Sequence, residues 1–193
     1  MAADLITLPE FSLVLLVGVS GAGKTSFARK HFSPTSILTS DKFRAMIADD
    51  ENCMEASRDA FDLLYTVARA RLKRRLFTVV DATNIQDYGR KILLDIAAEF
   101  GAPPVAVVLS IPEDTCIERT LKRKDRPIPM AVLMEQFTEF RETLGDLQKE
   151  GFDAIHILDG PDEIDNVIIS IQSDTPVLPE KSPPLPLVAH SGS

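Results

Sequence analysis

Eight residues near the N-terminus, Gly-Val-Ser-Gly-Ala-Gly-Lys-Thr at positions 18–25, match the phosphate-loop pattern G-x-x-x-x-G-K-[ST]. They follow the apolar run at 13–17, so a buried strand would lead into a glycine-rich turn that opens a helix. Backbone N–H groups that converge in such a turn bind a polyphosphate. In this pattern Lys24 reaches the β- and γ-phosphates and the Thr25 hydroxyl binds Mg²⁺. The motif predicts nucleoside triphosphate binding; the alternative is a glycine-rich turn with a chance Lys-Thr. The predicted cofactor-binding residues here are Gly18, Ser20, Gly21, Ala22, Gly23, Lys24, Thr25 and Ser26.

A carboxylate and an arginine follow the second apolar run of the chain. Asp41 comes directly after this predicted strand, at the sheet edge where open α/β folds bind their ligands. A carboxylate there can accept the proton of a hydroxyl that attacks the γ-phosphorus. Arg44 lies one helical turn further on and suits a substrate that itself carries a phosphate. The alternatives are that Ser40 or Asp41 only caps the next helix, and that Arg44 is a solvated surface residue.

Two further sites carry charge suited to phosphate chemistry. Asp81 directly follows the apolar run at 77–80, which is the position of an acidic residue that orients Mg²⁺ or its water ligands. The alternative is that Asp81 caps a helix. Arg119 and Arg123 are four residues apart near the end of a predicted helix, and Arg126 follows just before the first of two prolines that break that helix. This arrangement predicts a lid whose arginines stabilise charge on the transferring phosphoryl group. The alternative is a basic helix end that complements the helix dipole.

The elements that must position these residues alternate between short apolar runs and helical patterns. Strands are predicted at about 12–18, 36–40, 77–81, 104–110 and 154–158, with helices at about 57–75 and 130–149. This order is typical of an α/β fold, a P-loop NTPase-type parallel sheet flanked by helices, with a helical lid. We expect one domain over 1–172 and a proline-rich disordered tail or linker over 173–193.

Composition narrows the class of protein. The length of 193 residues predicts one domain. The formal net charge of −8 argues against the broad basic surface that non-specific nucleic-acid binding needs, but it is compatible with a local basic cleft. No run has the length of a membrane span and the N-terminus is unlike a signal peptide, so a cytoplasmic location is expected. The two cysteines form no metal-like cluster, and Cys116 is predicted to pack as a small hydrophobe.

Taken together, these motifs resemble the 5′-kinase module of bacterial polynucleotide kinase-phosphatases and, more distantly, phage polynucleotide kinase. The match runs from about residue 8 to 158 through 18–25, 39–41, Arg44, 49–52, 80–84, Arg90-Lys91, Glu118-Arg119 and 147–152. The resemblance implies transfer of the γ-phosphate of ATP to a single-stranded 5′-hydroxyl RNA or DNA end. It implies that Asp41 activates this hydroxyl and that Arg44 holds the next phosphate of the strand. Lys24 and Thr25 would hold ATP and Mg²⁺, and Arg119 and Arg123, with Arg126, would form the lid.

In that family a metallophosphatase and a nucleotidyl-transfer module follow the kinase, and together they remodel broken RNA ends. These 193 residues contain neither, so they would be an excised domain or a stand-alone kinase. Two other functions stay open. One is a small-molecule kinase acting on a sugar or nucleotide-sugar, and the other is a binding module that nucleotide hydrolysis switches.

Overall fold

The computed structural model describes residues 4–123 and 128–172. In chain order its elements are β1 (Leu5–Pro9), β2 (Leu13–Val17), α1 (Lys24–His31), β3 (Ile37–Thr39), α2 (Ser40–Ala48), α3 (Ser57–Leu72), β4 (Thr78–Asp81), α4 (Asp87–Phe100), β5 (Pro104–Ser110), α5 (Glu113–Lys122), α6 (Met130–Asp146), β6 (Ala154–Asp159), α7 (Pro161–Asn166) and β7 (Ile168–Gln172). Short 3₁₀ turns at Met54–Ala56 and Leu147–Lys149 precede α3 and follow α6. Arg126 and the predicted tail at 173–193 lie outside the described residues.

Five parallel strands form the central sheet in the order β3-β4-β2-β5-β6, and all five predicted strands are confirmed. β2 lies in the middle and every one of its residues is buried, which explains its unbroken apolar sequence. Asp81 at the end of β4 pairs in register with Leu16 of β2 and with Thr39 of β3. The carboxyl ends of these three strands therefore meet at one edge, where the phosphate loop begins.

A second, two-stranded parallel sheet joins β1 to β7, and the sequence did not predict it. Leu5 pairs with Ile168 and Pro9 with Gln172, so the first and last described strands lie side by side. Only Ile6 and Leu8 of β1 are buried. A strand this short, with so few buried positions, gives a weak signal in the sequence.

The helices cover the sheet much as predicted. α3 begins at Ser57, as expected, and ends at Leu72; Leu64 and Leu72 are among its buried residues. α6 ends at Asp146, three residues before the predicted end, because the chain tightens into the 3₁₀ turn. Within residues 4–123 and 128–172, no helix combines the length and the apolar character that crossing a membrane requires.

One buried arginine ties α4 to the turn after α6. Arg90 is 1% exposed, and its Nε and Nη2 donate to the two carboxylate oxygens of Glu150 at 2.7 and 2.5 Å. Its Nη1 donates to the Asn84 carbonyl at 2.9 Å and to the Thr143 hydroxyl at 3.3 Å. The Arg90–Glu150 ion pair therefore holds the segment that follows β4, through the hydrogen bond from Arg90 to the Asn84 carbonyl.

Candidate active site

The backbone of the phosphate loop is left-handed at Gly21 and Gly23, a conformation that favours glycine. Gly21 has φ +84°, and a Cβ built on it would lie 2.5 Å from the Cys116 carbonyl oxygen and 2.8 Å from Thr120 Oγ1. Gly23 has φ +95° and is the N-cap of α1. Both angles lie in the left-handed region that side chains with a Cβ disfavour. Cys116 is buried, as predicted, and burial raises the pKa of its thiol to about 11.

Lys24 is the first residue of α1 and lies folded across the loop. It is 8% exposed, and its Nζ donates to the carbonyl oxygens of Gly18 at 2.8 Å and Val19 at 2.9 Å. The Ser20 amide of the same loop donates to Gln136 Oε1 of α6 at 2.9 Å. A cationic side chain and a backbone donor thus lie where a phosphate-loop motif binds its ligand.

Asp81 supplies a buried carboxylate beside Thr25. Burial raises the pKa of Asp81, while the Thr25 hydroxyl and the charges of Lys24 and Arg29 lower it by less. Among the described residues, Asp81 Oδ2 is a buried oxygen without a hydrogen-bond partner. A buried carboxylate oxygen without a partner, next to a hydroxyl and a lysine, is suited to bind a magnesium ion or one of its water ligands. The residues predicted to bind metal, Thr25 and Asp81, therefore lie together.

Asp41 and Arg44 form an ion pair on the first turn of α2, as their spacing predicted. The cap of this helix is Thr39, whose Oγ1 accepts from the Lys42 amide at 3.0 Å, so Asp41 is not needed as the capping residue. Arg44 is 3% exposed and its Nε also donates to the Glu51 carbonyl at 2.7 Å. Burial lowers the pKa of Arg44, opposed by the nearby Glu51 and Cys53. The Asp41 side chain is 26% exposed, so this half of the pair remains accessible.

The two described arginines of the predicted lid lie at the C-terminal end of α5. Arg119 Nη1 donates to the Gly21 carbonyl at 3.5 Å, and Arg123 is the C-cap residue. Both side chains are exposed and line the same cleft as the loop. Arg126 lies outside the described residues, and closure of a lid stays a prediction.

A single cleft of about 1520 Å³ brings these groups together. Its lining includes Ser20, Gly21, Gly23, Lys24, Thr25, Ser26, Asp41, Arg44, Asp81, Arg119 and Arg123. Gly18 and Ala22, also predicted to bind cofactor, do not line it. Both are buried residues of the loop itself, in which the Gly18 amide donates to the Thr83 carbonyl at 3.0 Å and the Ala22 amide to the Val19 carbonyl at 3.2 Å. Their direct role in binding therefore stays a prediction.

Sequence reasoning missed two features of the cleft. Gln136 contacts the phosphate loop from α6, next to the buried Phe137. Phe61, Tyr65 and Tyr88 also line the cleft, although the apolar spacing of the first two predicted only that they lie on a helix. Both aromatic residues of α3 are only half-buried. The only signal for Gln136 in the sequence was a polar residue beside a position that is buried in α6.

The parallel sheet, the phosphate loop and the cleft define a P-loop NTPase-type protein with a kinase-type fold. The chain belongs to the AAA domain family, whose sequence model matches residues 13–147. No curated protein matches the chain by sequence.

Solved structures with the same fold include proteins of different function. The chain is 25% identical to a protein of the Pnkp1/Rnl/Hen1 RNA repair complex, with a TM-score of 0.61 over 73% of this chain and 47% of that one. It therefore spans about half the length of that relative. Kti12 of Chaetomium thermophilum, solved with ADP-AlF3, is 16% identical with a TM-score of 0.57, over 76% and 88% of the two chains. A putative kinase from Chloroflexus aurantiacus is 14% identical with a TM-score of 0.54, over 78% and 88%. The last two similarities concern the fold alone.

Proposed function

We propose that this chain is an ATP-dependent polynucleotide 5′-hydroxyl kinase that uses Mg²⁺ to phosphorylate RNA or DNA ends. The observation that carries the proposal is the Asp41–Arg44 ion pair, which opens on the same cleft as the phosphate loop. A nucleotide-binding switch needs the loop, but it has no use for a carboxylate and a guanidinium on the acceptor side. The similarity to a protein of an RNA repair complex supports the same acceptor class.

The donor side would be held by the loop. Lys24 would leave its two loop carbonyls and bind the β- and γ-phosphates, while Thr25 and Asp81 would hold Mg²⁺. When bound, the metal neutralises charge on the phosphate oxygens. The backbone cradle formed by Gly21 and Gly23 would keep the triphosphate in one position, and positioning accounts for most of the catalysis in phosphoryl transfer.

The acceptor side would be held by α2. Asp41 would take the proton of the 5′-hydroxyl as its oxygen bonds to the γ-phosphorus and the bond from that phosphorus to ADP breaks. Arg44, already oriented by Asp41 and by the Glu51 carbonyl, would hold the phosphate that links the first two nucleotides. Arg119 and Arg123 would add positive charge around the transferring group.

The test is transfer of label from γ-labelled ATP to a 5′-hydroxyl oligonucleotide, in its RNA and DNA forms, with and without Mg²⁺. The matched control is the same oligonucleotide with a 5′-phosphate, which has no free acceptor. Simple sugars and nucleotide-sugars are tested in parallel. We expect label only on the 5′-hydroxyl strands. Transfer to a sugar instead would identify a small-molecule kinase, and ATP binding without any transfer would favour the switch.

The similarity over half of a longer protein suggests that this kinase works beside other end-repair activities. We propose that a phosphatase or ligase module accompanies it in a longer chain or complex. The 5′-phosphate that the kinase makes is the group that a ligase requires. Co-purification of a phosphatase or ligase with the tagged full-length protein would test this point.

A further inference from the structure

Three aromatic side chains form one wall of the cleft on its acceptor side. Phe61 and Tyr65 lie on α3, and Tyr88 lies near the start of α4. α3 packs against α2, which carries Asp41 and Arg44, and also against α4. The proposed chemistry uses none of the three rings.

Two of the rings pack against each other, and the third stands on the neighbouring helix α4. The centroids of Phe61 and Tyr65 are 6.0 Å apart, with an interplanar angle of 37°. A Cβ built on Gly89 would make an ordinary van der Waals contact of 3.9 Å with the Tyr65 hydroxyl, so the start of α4 lies close to that ring. Tyr88 is 63% exposed, yet its hydroxyl donates to Gln86 Oε1 at 2.6 Å. An exposed ring held by a hydrogen bond loses little further freedom when a flat ligand packs on it.

The negative charge of the chain limits how tightly phosphates alone could hold an acceptor strand. With a net charge of −8, the protein attracts a polyanion poorly, and α2 and α3 provide only Lys42, Arg44 and Arg58 as positive charges in the lining of this side of the cleft. A strand held by so few phosphate contacts needs a second source of affinity. Stacking of bases on aromatic side chains supplies it without depending on sequence.

We propose that Phe61, Tyr65 and Tyr88 form a stacking surface for the nucleobases of the acceptor strand, with Tyr88 as the principal contact. The inference rests on the proposed function and extends it, because it assigns the preference for a polynucleotide over a sugar to α3 and α4. Asp41 and Arg44 recognise a hydroxyl and a phosphate, groups that many small phosphorylated acceptors also carry. The aromatic wall recognises the bases.

Binding is tested first, without any phosphoryl transfer. The chain has two tyrosines and no tryptophan, so its intrinsic fluorescence comes from Tyr65 and Tyr88, both on the proposed surface. We titrate the protein with a 5′-hydroxyl oligonucleotide and with an abasic strand of equal length, correcting for absorbed light with free tyrosine. We expect quenching by the strand with bases, and much less by the abasic strand. Equal effects of the two strands would overturn the inference.

Transfer kinetics then separate stacking from a structural role. Tyr88→Ala should raise KM for the oligonucleotide roughly 5- to 20-fold, towards the lower end of the effect of one lost stacking contact. KM for ATP should not change. Tyr88→Phe keeps the ring and loses only the hydrogen bond to Gln86, so as the matched control it should raise KM far less than Tyr88→Ala does. On the abasic strand Tyr88→Ala should cost little further, because the contact is already missing.

An equal loss for Tyr88→Ala on both strands would mean that the side chain acts structurally, and the inference would be wrong. The result that overturns the proposed function is different. Base-dependent quenching without any transfer to oligonucleotides would leave the stacking surface in place and remove the kinase assignment.

Discussion

Replacing Asp41 by Asn tests the acceptor half of the site with the smallest change of shape. The amide keeps an oxygen that can accept from Arg44, and it removes the basicity that proton abstraction requires. General-base catalysis contributes typically about 10²- to 10⁴-fold, so kcat should fall by that factor, or by about 3 to 5 kcal/mol in activation free energy. ATP affinity should not change, because Asp41 lies on α2 and outside the phosphate loop.

The change should leave the fold intact. Thr39, and not Asp41, caps α2, and Arg44 keeps its hydrogen bond to the Glu51 carbonyl. A hydrogen bond to a charged group contributes about 1.5 to 3 kcal/mol. The Asp41 side chain is 26% exposed and solvent screens part of this interaction, so we expect a loss of about 1 kcal/mol, or roughly 2–4 °C in Tm. The loss of activity is then far larger than any loss of folded protein.

The assay combines single-turnover transfer to a 5′-hydroxyl oligonucleotide with calorimetric titration of ATP. Asp62→Asn is the matched control, because Asp62 is an exposed carboxylate of α3 that lines the same cleft. It should leave both measurements near those of the parent protein. The reasoning is refuted if Asp41→Asn lowers kcat less than tenfold, or if ATP affinity falls in proportion to the rate, since Asp41 would then act on the donor side.

Three other substitutions examine the surroundings of the loop. Gln136→Ala removes a side chain that occupies a loop amide, so ATP should bind about 2- to 12-fold tighter by calorimetry; weaker binding would mean that Gln136 contacts the nucleotide. Asp81→Asn should abolish most Mg²⁺-dependent transfer but raise Tm without ligand. Because burial raises the pKa of Asp81 in the folded state, its ionisation costs stability as pH rises above 3.8, the ordinary pKa of this carboxyl. The gain in Tm should therefore be larger at pH 7 than at pH 4. An equal gain at both pH values would contradict this. Glu150→Gln leaves the buried Arg90 without its negative partner and should lower the free energy of unfolding, measured in urea, by about 3 kcal/mol. The control Asp146→Asn removes one partner of an exposed ion pair and should change this free energy little.

The central sheet, the phosphate loop and the positions of Asp41 and Asp81 were predictable because their signals are local. The five strands of the sheet are apolar runs, and the loop directly follows β2. Asp41 and Asp81 each lie at or just beyond the end of a strand, so parallel pairing brings them to one edge whatever the rest of the chain does. The apolar runs and the phosphate-loop pattern were therefore enough to locate these residues.

The features that were missed depend on contacts between distant residues. β1 and β7 pair across most of the described chain, and Leu5 and Ile168 at the start of their register are 63% and 54% exposed. The bond from Ser20 to Gln136 spans 116 residues. No periodicity records such a contact, because it is set by how α6 packs over the loop and not by the order of residues within α6.

The two halves of the cleft are thus specified in different ways, and this bears on how the acceptor is chosen. A single eight-residue segment carries most of the proposed donor half, with Asp81 added from the end of β4. In contrast, α2, α3 and α4 would assemble the acceptor half, with Arg90 and Glu150 fixing α4 two residues after Tyr88. Since phosphoryl transfer depends mainly on positioning, a protein with the same loop can phosphorylate another hydroxyl when the side chains of these three helices differ. In the proposed function the phosphate loop holds the triphosphate, and the carboxylate, guanidinium and aromatic rings opposite it would determine which acceptor receives the phosphate.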